Sequence, residues 1–149
     1  MKSLHAAAVV VAAAVPFALA GYSTLAVAKS EIKGAAILDH ACGKVAVKQM
    51  GLVHAGKMDE ANKLSTKEMQ AQWQSMPEKD RTMMSGMMKE MSQPEAQYAA
   101  DIKANGVLVV DGPNATMTVK KTTKDKNGSS SETTTQNFKI DGNACLVSR

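Results

Sequence analysis

The sequence predicts an α+β fold in which N-terminal helices pack on one face of a curved antiparallel sheet of about four strands. Two observations predict it. Apolar residues recur at helical spacing through residues 35–91. After Pro94 the composition shifts to threonine and valine, and polar and apolar residues alternate between turn-forming segments. Helices followed by hairpin-connected strands are typical of α+β domains, whose helices cover one face of the sheet.

The first predicted helix runs from Ala35 to about His54. Gly56 follows where a left-handed residue would end it, and a short second helix is predicted at residues 57–64. The apolar side of the first helix is predicted to consist of Leu38, Ala41, Cys42, Val45, Gln49 and Leu52. We therefore expect an amphipathic helix of about five turns.

Two more helices are predicted before the chain changes character. Ser65 and Glu68 match a capping box, in which each side chain bonds the backbone N–H of the other residue, so a helix is expected to open there. Its shared face would carry Met69, Trp73 and Met76. Because proline is tolerated only in the first turn of a helix, Pro77 indicates a separate helix that runs to about Met91.

Strands are predicted at residues 98–110, 115–123, 133–140 and 144–148. The first contains Asn105-Gly106, which suits a bulge or a break. Alternation in the second strand puts Ala115, Met117 and Val119 on one face. Turns rich in glycine, asparagine and aspartate separate the strands at residues 111–114, 126–129 and 141–143.

Residues 1–28 have the layout of a secretory signal peptide. Lys2 supplies the charged start, residues 6–20 form a short apolar stretch, and small-x-small cleavage sites lie at residues 18–20 and 26–28. The sequence therefore predicts export, with the mature protein periplasmic or secreted.

The alternative interpretation of the same segment is a membrane anchor. The apolar run is shorter than a membrane span, consists mostly of alanine, and contains Pro16. We therefore expect a single domain over residues 29–149, with no stable membrane insertion after the signal is cleaved.

Export changes how the two cysteines are interpreted. An oxidising compartment allows disulfides to persist, so a bond between Cys42 and Cys145 is predicted. Two buried free thiols, or pairing between chains, are the alternatives. A zinc site would need four ligands in closely spaced pairs, and two distant cysteines do not provide them.

Composition argues against nucleic acid as a partner. The formal net charge is only +4, the basic residues are scattered, and aromatic residues make up 3% of the chain. Nucleic-acid-binding domains concentrate positive charge and often use aromatic side chains as stacking platforms for bases.

The sequence offers little catalytic chemistry. It contains no G-x-S-x-G, phosphate-loop or H-E-x-x-H motif. His40 and His54 are expected at the solvent-facing side and near the end of the first helix. Tyr98 and Asp101 would point to opposite faces of a strand. We therefore expect a protein that is not an enzyme, with no catalytic residue, metal or cofactor.

Methionine is the unusual feature, with 11 residues in the chain. Five of them crowd into one predicted helix: Met83, Met84, Met87, Met88 and Met91. Spacing of i, i+3, i+4 and i+7 is where a core-facing helix carries apolar side chains, so packing in the core is the expected role. The alternatives are an adaptable apolar binding surface and a Cu(I) site of thioether ligands, whose affinity is expected to be absent or weak.

Four segments together resemble a known superfamily: residues 55–61, a helical pair led by Ser65, the Gly-Pro-Asn-Ala-Thr segment at 112–116, and the Phe-Lys-Ile-Asp-Gly segment at 138–142. Over residues 34–146 the chain resembles exported members of the nuclear-transport-factor-2-like superfamily. The resemblance implies a cone-shaped fold with a pocket between helices and sheet. That fold serves enzymes and binding domains alike, so it implies no activity by itself.

Combining this resemblance with the apolar faces predicts a pocket lined by Trp73, Met84, Met87, Met88, Met117, Val119, Phe138 and Ile140. These side chains include no carboxylate or imidazole. The sequence therefore predicts a non-catalytic binding domain whose partner is an unknown small apolar ligand or protein. A Met-rich copper-binding protein is the first alternative, and a small enzyme that uses the cone pocket is the second.

Overall fold

The computed structural model describes residues 29–125 and 128–149. The predicted signal peptide at residues 1–28 lies outside the described residues, as do positions 126 and 127 of a predicted turn.

The described chain has an α+β fold, as predicted. Its elements are β1 (Ser30–Lys33), a 3₁₀ helix (Gly34–Asp39), α1 (Ala41–His54), α2 (Met58–Asn62), α3 (Lys67–Ser75), α4 (Glu78–Met91), α5 (Glu95–Asn105), β2 (Gly106–Asp111), β3 (Asn114–Asp125), β4 (Gly128–Asp141) and β5 (Ala144–Ser148). In these ranges no helix combines the length and hydropathy that a membrane span requires.

The sheet is an antiparallel meander with strand order β1-β2-β3-β4-β5. The described residues thus form five strands rather than about four. The additional strand, β1, has only four residues and a single apolar one, Ile32, which is too little alternation to predict a strand. The hairpin turns at Gly112 and Gly142 are as predicted, and both glycines have a φ of 58°, which favours glycine over other residues.

The first predicted strand is wrong over its first half. Residues 95–105 form helix α5, and β2 begins only at Gly106. Tyr98 and Ile102 lie four residues apart on one helix face, and both are buried. At Gly106 the chain passes so close to the Ile102 carbonyl that a Cβ atom would lie 2.5 Å from its oxygen. The predicted break at Asn105-Gly106 is therefore the boundary between helix and strand.

The first predicted helix is divided into two helices at His40. His40 has extended backbone angles, and its Nδ1 accepts a hydrogen bond from the Cys42 N–H at 3.2 Å, so it caps α1 rather than facing solvent freely. Gly56 has a φ of 74°, which confirms the predicted left-handed residue after α1.

The predicted capping box is wrong by one residue. Thr66, not Ser65, precedes the first residue of α3. Ser65 is buried, and its hydroxyl accepts a bond from Gln49 Nε2 at 3.4 Å. The backbone of this segment pairs with β5, since Thr66 N–H donates to the Val147 carbonyl and Val147 N–H donates to the Leu64 carbonyl, each at 2.9 Å. Two backbone hydrogen bonds therefore join the start of α3 to the last strand.

The main core lies between the sheet and the helices α1 and α5. The cluster contains Ile37, Cys42, Ala46, Tyr98, Ile102, Leu108, Ala115, Met117, Val119, Phe138, Cys145 and Val147. Cys42 of α1 and Cys145 of β5 form a disulfide bond with their Cα atoms 5.0 Å apart, which confirms the predicted pairing. The bond lies inside the cluster and ties the first long helix to the last strand.

A second, smaller cluster holds α2 and α3 against the end of α1. It contains Val53, Met58, Ala61 and Trp73. The Trp73 indole Nε1 donates a 2.9 Å hydrogen bond to Asp59 Oδ1, which links α3 to α2. α4 contributes no buried residue to either cluster.

Candidate functional site

The methionines of α4 are exposed, so the expectation that they pack in the core is wrong. The exposed fractions are 65% for Met83, 36% for Met84, 54% for Met87, 40% for Met88 and 78% for Met91. Helical spacing does show which residues share a side of α4, but it does not show what lies opposite that side. Two clefts adjoin part of this side of α4.

The first cleft lies among α1, α2, α3 and α4 and has a volume of about 280 Å³. We call it the Trp73 cleft. Its apolar wall includes Met58, Met69, Trp73, Met76, Met84 and Met88. Gln49, Gln72 and Arg149 are among its polar lining residues, and the Arg149 guanidinium donates a hydrogen bond to Gln72 Oε1. This cleft is apolar inside, with amide and guanidinium donors at its edge.

The second cleft lies beside the first, against α5 and β4, and has a volume of about 320 Å³. We call it the Tyr98 cleft. Met50, Met88, Met91, Ser92 and Tyr98 line it together with residues 134–136 of β4. Burial, and secondarily the charge of Asp101, raises the pKa of Tyr98 to about 12. The phenol therefore stays protonated at physiological pH.

Gln49, Val53 and Met88 line both clefts and form the wall between them. The Gln49 amide is held in place from two sides. Its Oε1 accepts a 2.6 Å hydrogen bond from Gln136 Nε2, and its Nε2 donates to Ser65 Oγ at 3.4 Å. The wall between the clefts is therefore a fixed polar group beside a flexible methionine.

The eight residues of the predicted pocket do not face one another. Met117, Val119 and Phe138 are sealed in the main core, and Ile140 packs against that core partly buried. Trp73, Met84 and Met88 line the Trp73 cleft, whereas Met87 lines neither cleft. The predicted arrangement is wrong because α1 and α5, not the methionine helix, cover the sheet at these strands.

More methionines gather around the two clefts than the sequence pattern predicts. Those that line one or both clefts are Met50, Met58, Met69, Met76, Met84, Met88 and Met91. They come from four helices and one loop. The available signal was that α1, α2 and α3 each contain one methionine in addition to the five that crowd into α4.

Two of the titratable groups, Tyr98 and Asp101, lie elsewhere than predicted. Tyr98 and Asp101 both lie on α5, three residues apart and thus on the same side, rather than on opposite faces of a strand. His54 is exposed as expected, and its Nδ1 lies 3.4 Å from Ser92 Oγ. Within the described ranges, the residues lining the two clefts include no carboxylate and no imidazole.

Acidic, histidine and cysteine side chains do not gather in groups of three or more within the part of the chain that the structure describes. Comparison of the chain with known protein families, characterised proteins and solved structures finds no match.

Proposed function

We propose that this chain is an exported, non-catalytic binding protein and that the Trp73 cleft receives a small apolar ligand. The observation that carries the proposal is the exposure of Met84 and Met88 of α4, which line a cleft together with further thioethers and an indole. A helix that serves only the fold buries its apolar side. α4 leaves its apolar side chains exposed, where a ligand can cover them.

The chemistry of the lining supports a small apolar ligand with one polar or anionic end. Methionine side chains are flexible and polarizable, so they adapt to the shape of an apolar group. Binding sites for small molecules are mostly apolar, with a few polar groups that fix the orientation. In the Trp73 cleft, Gln72 and Arg149 supply those groups.

Export is supported by two features. The composition of residues 1–28 matches a signal peptide, and the buried disulfide is a bond that an oxidising compartment maintains. Membership of the nuclear-transport-factor-2-like superfamily stays a prediction, and the binding proposal does not depend on it.

The absence of catalysis is proposed from the groups that a ligand would meet. General acid–base catalysis needs a titratable side chain within hydrogen-bond reach of the reacting atom. The described lining of the Trp73 cleft offers amides, a hydroxyl and a guanidinium, which bind and orient. We therefore expect the ligand to be released unchanged.

Trp73 provides the test, because it is the only tryptophan in the chain and lies in the wall of the cleft. Titration with 1-anilinonaphthalene-8-sulfonate, an apolar ring system with an anionic end, should quench Trp73 emission to saturation at one probe per chain. The variant M84Q/M88Q should weaken this binding about tenfold or more, because two apolar contacts are lost.

The matched control is M83Q/M87Q, which makes the same change on the same helix at positions outside the cleft. It should alter the affinity by less than about twofold. Circular dichroism and thermal unfolding check that both variants remain folded. Failure of the probe to saturate, or equal weakening by the two variants, would contradict the proposal.

A further inference from the structure

The C-terminal turns of α1 and α4 bring four soft or borderline donor side chains to one place. Met50 and His54 lie four residues apart in the last part of α1, and Met88 and Met91 lie three apart at the end of α4. Met50, Met88 and Met91 line the Tyr98 cleft. His54 borders it, because its ring contacts Ser92, which also lines the cleft.

The hydrogen bonds of Ser92 determine which nitrogen of His54 is available. The Ser92 hydroxyl donates to the Lys89 carbonyl at 2.6 Å, so its proton is already engaged. Its oxygen can then only accept from His54 Nδ1, 3.4 Å away, which requires the proton to be on Nδ1. The lone pair of Nε2 is left as the donor. A bond of this kind to the second ring nitrogen is typical of histidines that bind metals.

Charges of both signs lie near this place. The Lys89 ammonium lies 3.9 Å from where a Cβ at Gly56 would be, just beyond α1, and α5 begins at Glu95 with the partial positive charge of a helix N-terminus. The C-terminal ends of α1 and α4 meet at the same place, and each carries partial negative charge on its last carbonyl groups. Glu95 adds a carboxylate, which lies against Gly51 so closely that a methyl group on that residue would be 2.9 Å from Glu95 Oε2. The Glu95 side chain therefore lies directly against α1 at Gly51.

We propose that Met50, His54, Met88 and Met91 form a Cu(I) site at the junction of the C-terminal ends of α1 and α4. Thioether sulfur is a soft ligand that selects Cu(I) over the harder divalent cations, and imidazole is a common ligand of copper. The exposure of Met88 and Met91 removes the reason to expect weak binding, which was that these side chains would be buried in packing. The site goes beyond the proposed function, since it takes a metal ion and is centred on the other cleft.

The test uses Cu(I) alone, added without oxygen to the purified protein and competed against the chelator bicinchoninate. We expect one Cu(I) to be retained per chain. M88L/M91L should lower the affinity about tenfold or more, and H54Q should also lower it markedly, since each removes ligands. M83L/M87L is the matched control, because it removes two thioethers from the same helix at positions outside both clefts.

Leucine keeps the apolar volume of methionine and removes only the sulfur. M88L/M91L should therefore still bind 1-anilinonaphthalene-8-sulfonate, so failure of the copper site and failure of the apolar cleft are distinguishable. Three results would overturn the copper proposal: no Cu(I) retained by the unaltered protein, equal loss in the two methionine variants, or unchanged affinity in H54Q.

Discussion

Two regions of this molecule both contain methionine side chains, which are buried in one region and exposed in the other. Around the sheet, α1 and α5, the core cluster contains 12 buried residues and a disulfide bond. Around α2, α3 and α4, the second cluster contains only four. Met117 in the first region is 0% exposed, whereas Met87 in the second is 54% exposed.

The difference shows that apolar composition alone does not separate a structural element from a binding surface. The strand face that carries Met117 is covered by α1 and α5, and the disulfide joins α1 to β5. α4 has no such cover, so its methionines line clefts or face solvent. We infer that the first region supplies the stability and the second supplies the surface for binding.

Loss of the disulfide should have the largest effect, and it should act on the first region. Replacing both Cys42 and Cys145 with alanine removes a cross-link between residues 103 positions apart. In the chain-entropy account this costs about 4–5 kcal/mol of unfolding free energy. Urea unfolding of the variant against the unaltered protein measures the cost. Thiol labelling that recovers two free cysteines from the unfolded, unreduced protein would contradict the bond.

The two regions can be compared directly with one pair of methionine substitutions. Met117→Ala should cost about 2–5 kcal/mol, because it leaves a cavity in a closely packed cluster. Met87→Ala should change the free energy of unfolding by less than about 0.5 kcal/mol, because the side chain is already largely hydrated. Equal costs in urea unfolding would refute the division of the molecule into these two regions.

Alkaline pH should weaken the first region through Tyr98. Its pKa is raised from 10.0 to about 12 by burial, so the unfolded chain releases this proton at lower pH than the folded one. The stabilisation that the protonated Tyr98 phenol adds to the folded state is therefore complete below pH 10. As the pH rises towards 12, the free energy of unfolding falls by about 2 kcal/mol for this reason.

Tyr98→Phe keeps the ring and removes the titrating hydroxyl. Urea unfolding at several pH values between 9 and 12 should show a shallower decline in the variant than in the unaltered protein. Identical slopes would mean that another group causes the loss of stability at high pH.

A smaller loss of stability than in the first region is expected in the second, at the bond between Asp59 and Trp73. Asp59→Ala removes the acceptor of the indole N–H and should cost about 1 kcal/mol. Amide hydrogen exchange should accelerate in α2 and α3 while the rates in β2 and β3 stay unchanged. Asp59→Asn keeps an oxygen acceptor and is the matched control, which should restore slow exchange. Acceleration throughout the sheet would show that the two regions unfold together.

Much of the fold could be predicted because its signals are local. Pro77 indicates the start of α4, and Gly112 and Gly142 indicate hairpin turns. Alternation of polar and apolar residues predicts the buried face of β3 that carries Ala115, Met117 and Val119. The wrong prediction at α5 arose because only two of its residues, Tyr98 and Ile102, are buried. Two apolar positions are too few to reveal helical spacing, and the alternating pattern of the following strand was extended back over them.

The candidate site could be predicted only in part. Trp73, Met84 and Met88 were expected in a pocket and do line one, but the residues expected opposite them are in the main core. Gln49 and His54 acquire their roles from partners far along the chain, Gln136 and Ser92, so no local pattern indicates them.

The sequence by itself determined the α+β class, the α4 boundaries, the hairpin turns and which two cysteines can pair within the chain. These follow from backbone preferences, from side-chain periodicity and from having a single possible pair. Tertiary structure alone decided which apolar faces are covered. A helix or strand specifies which of its sides is apolar, but burial depends on whether another element packs there. α1 and α5 supply buried residues to the core on the sheet, whereas α4 supplies none.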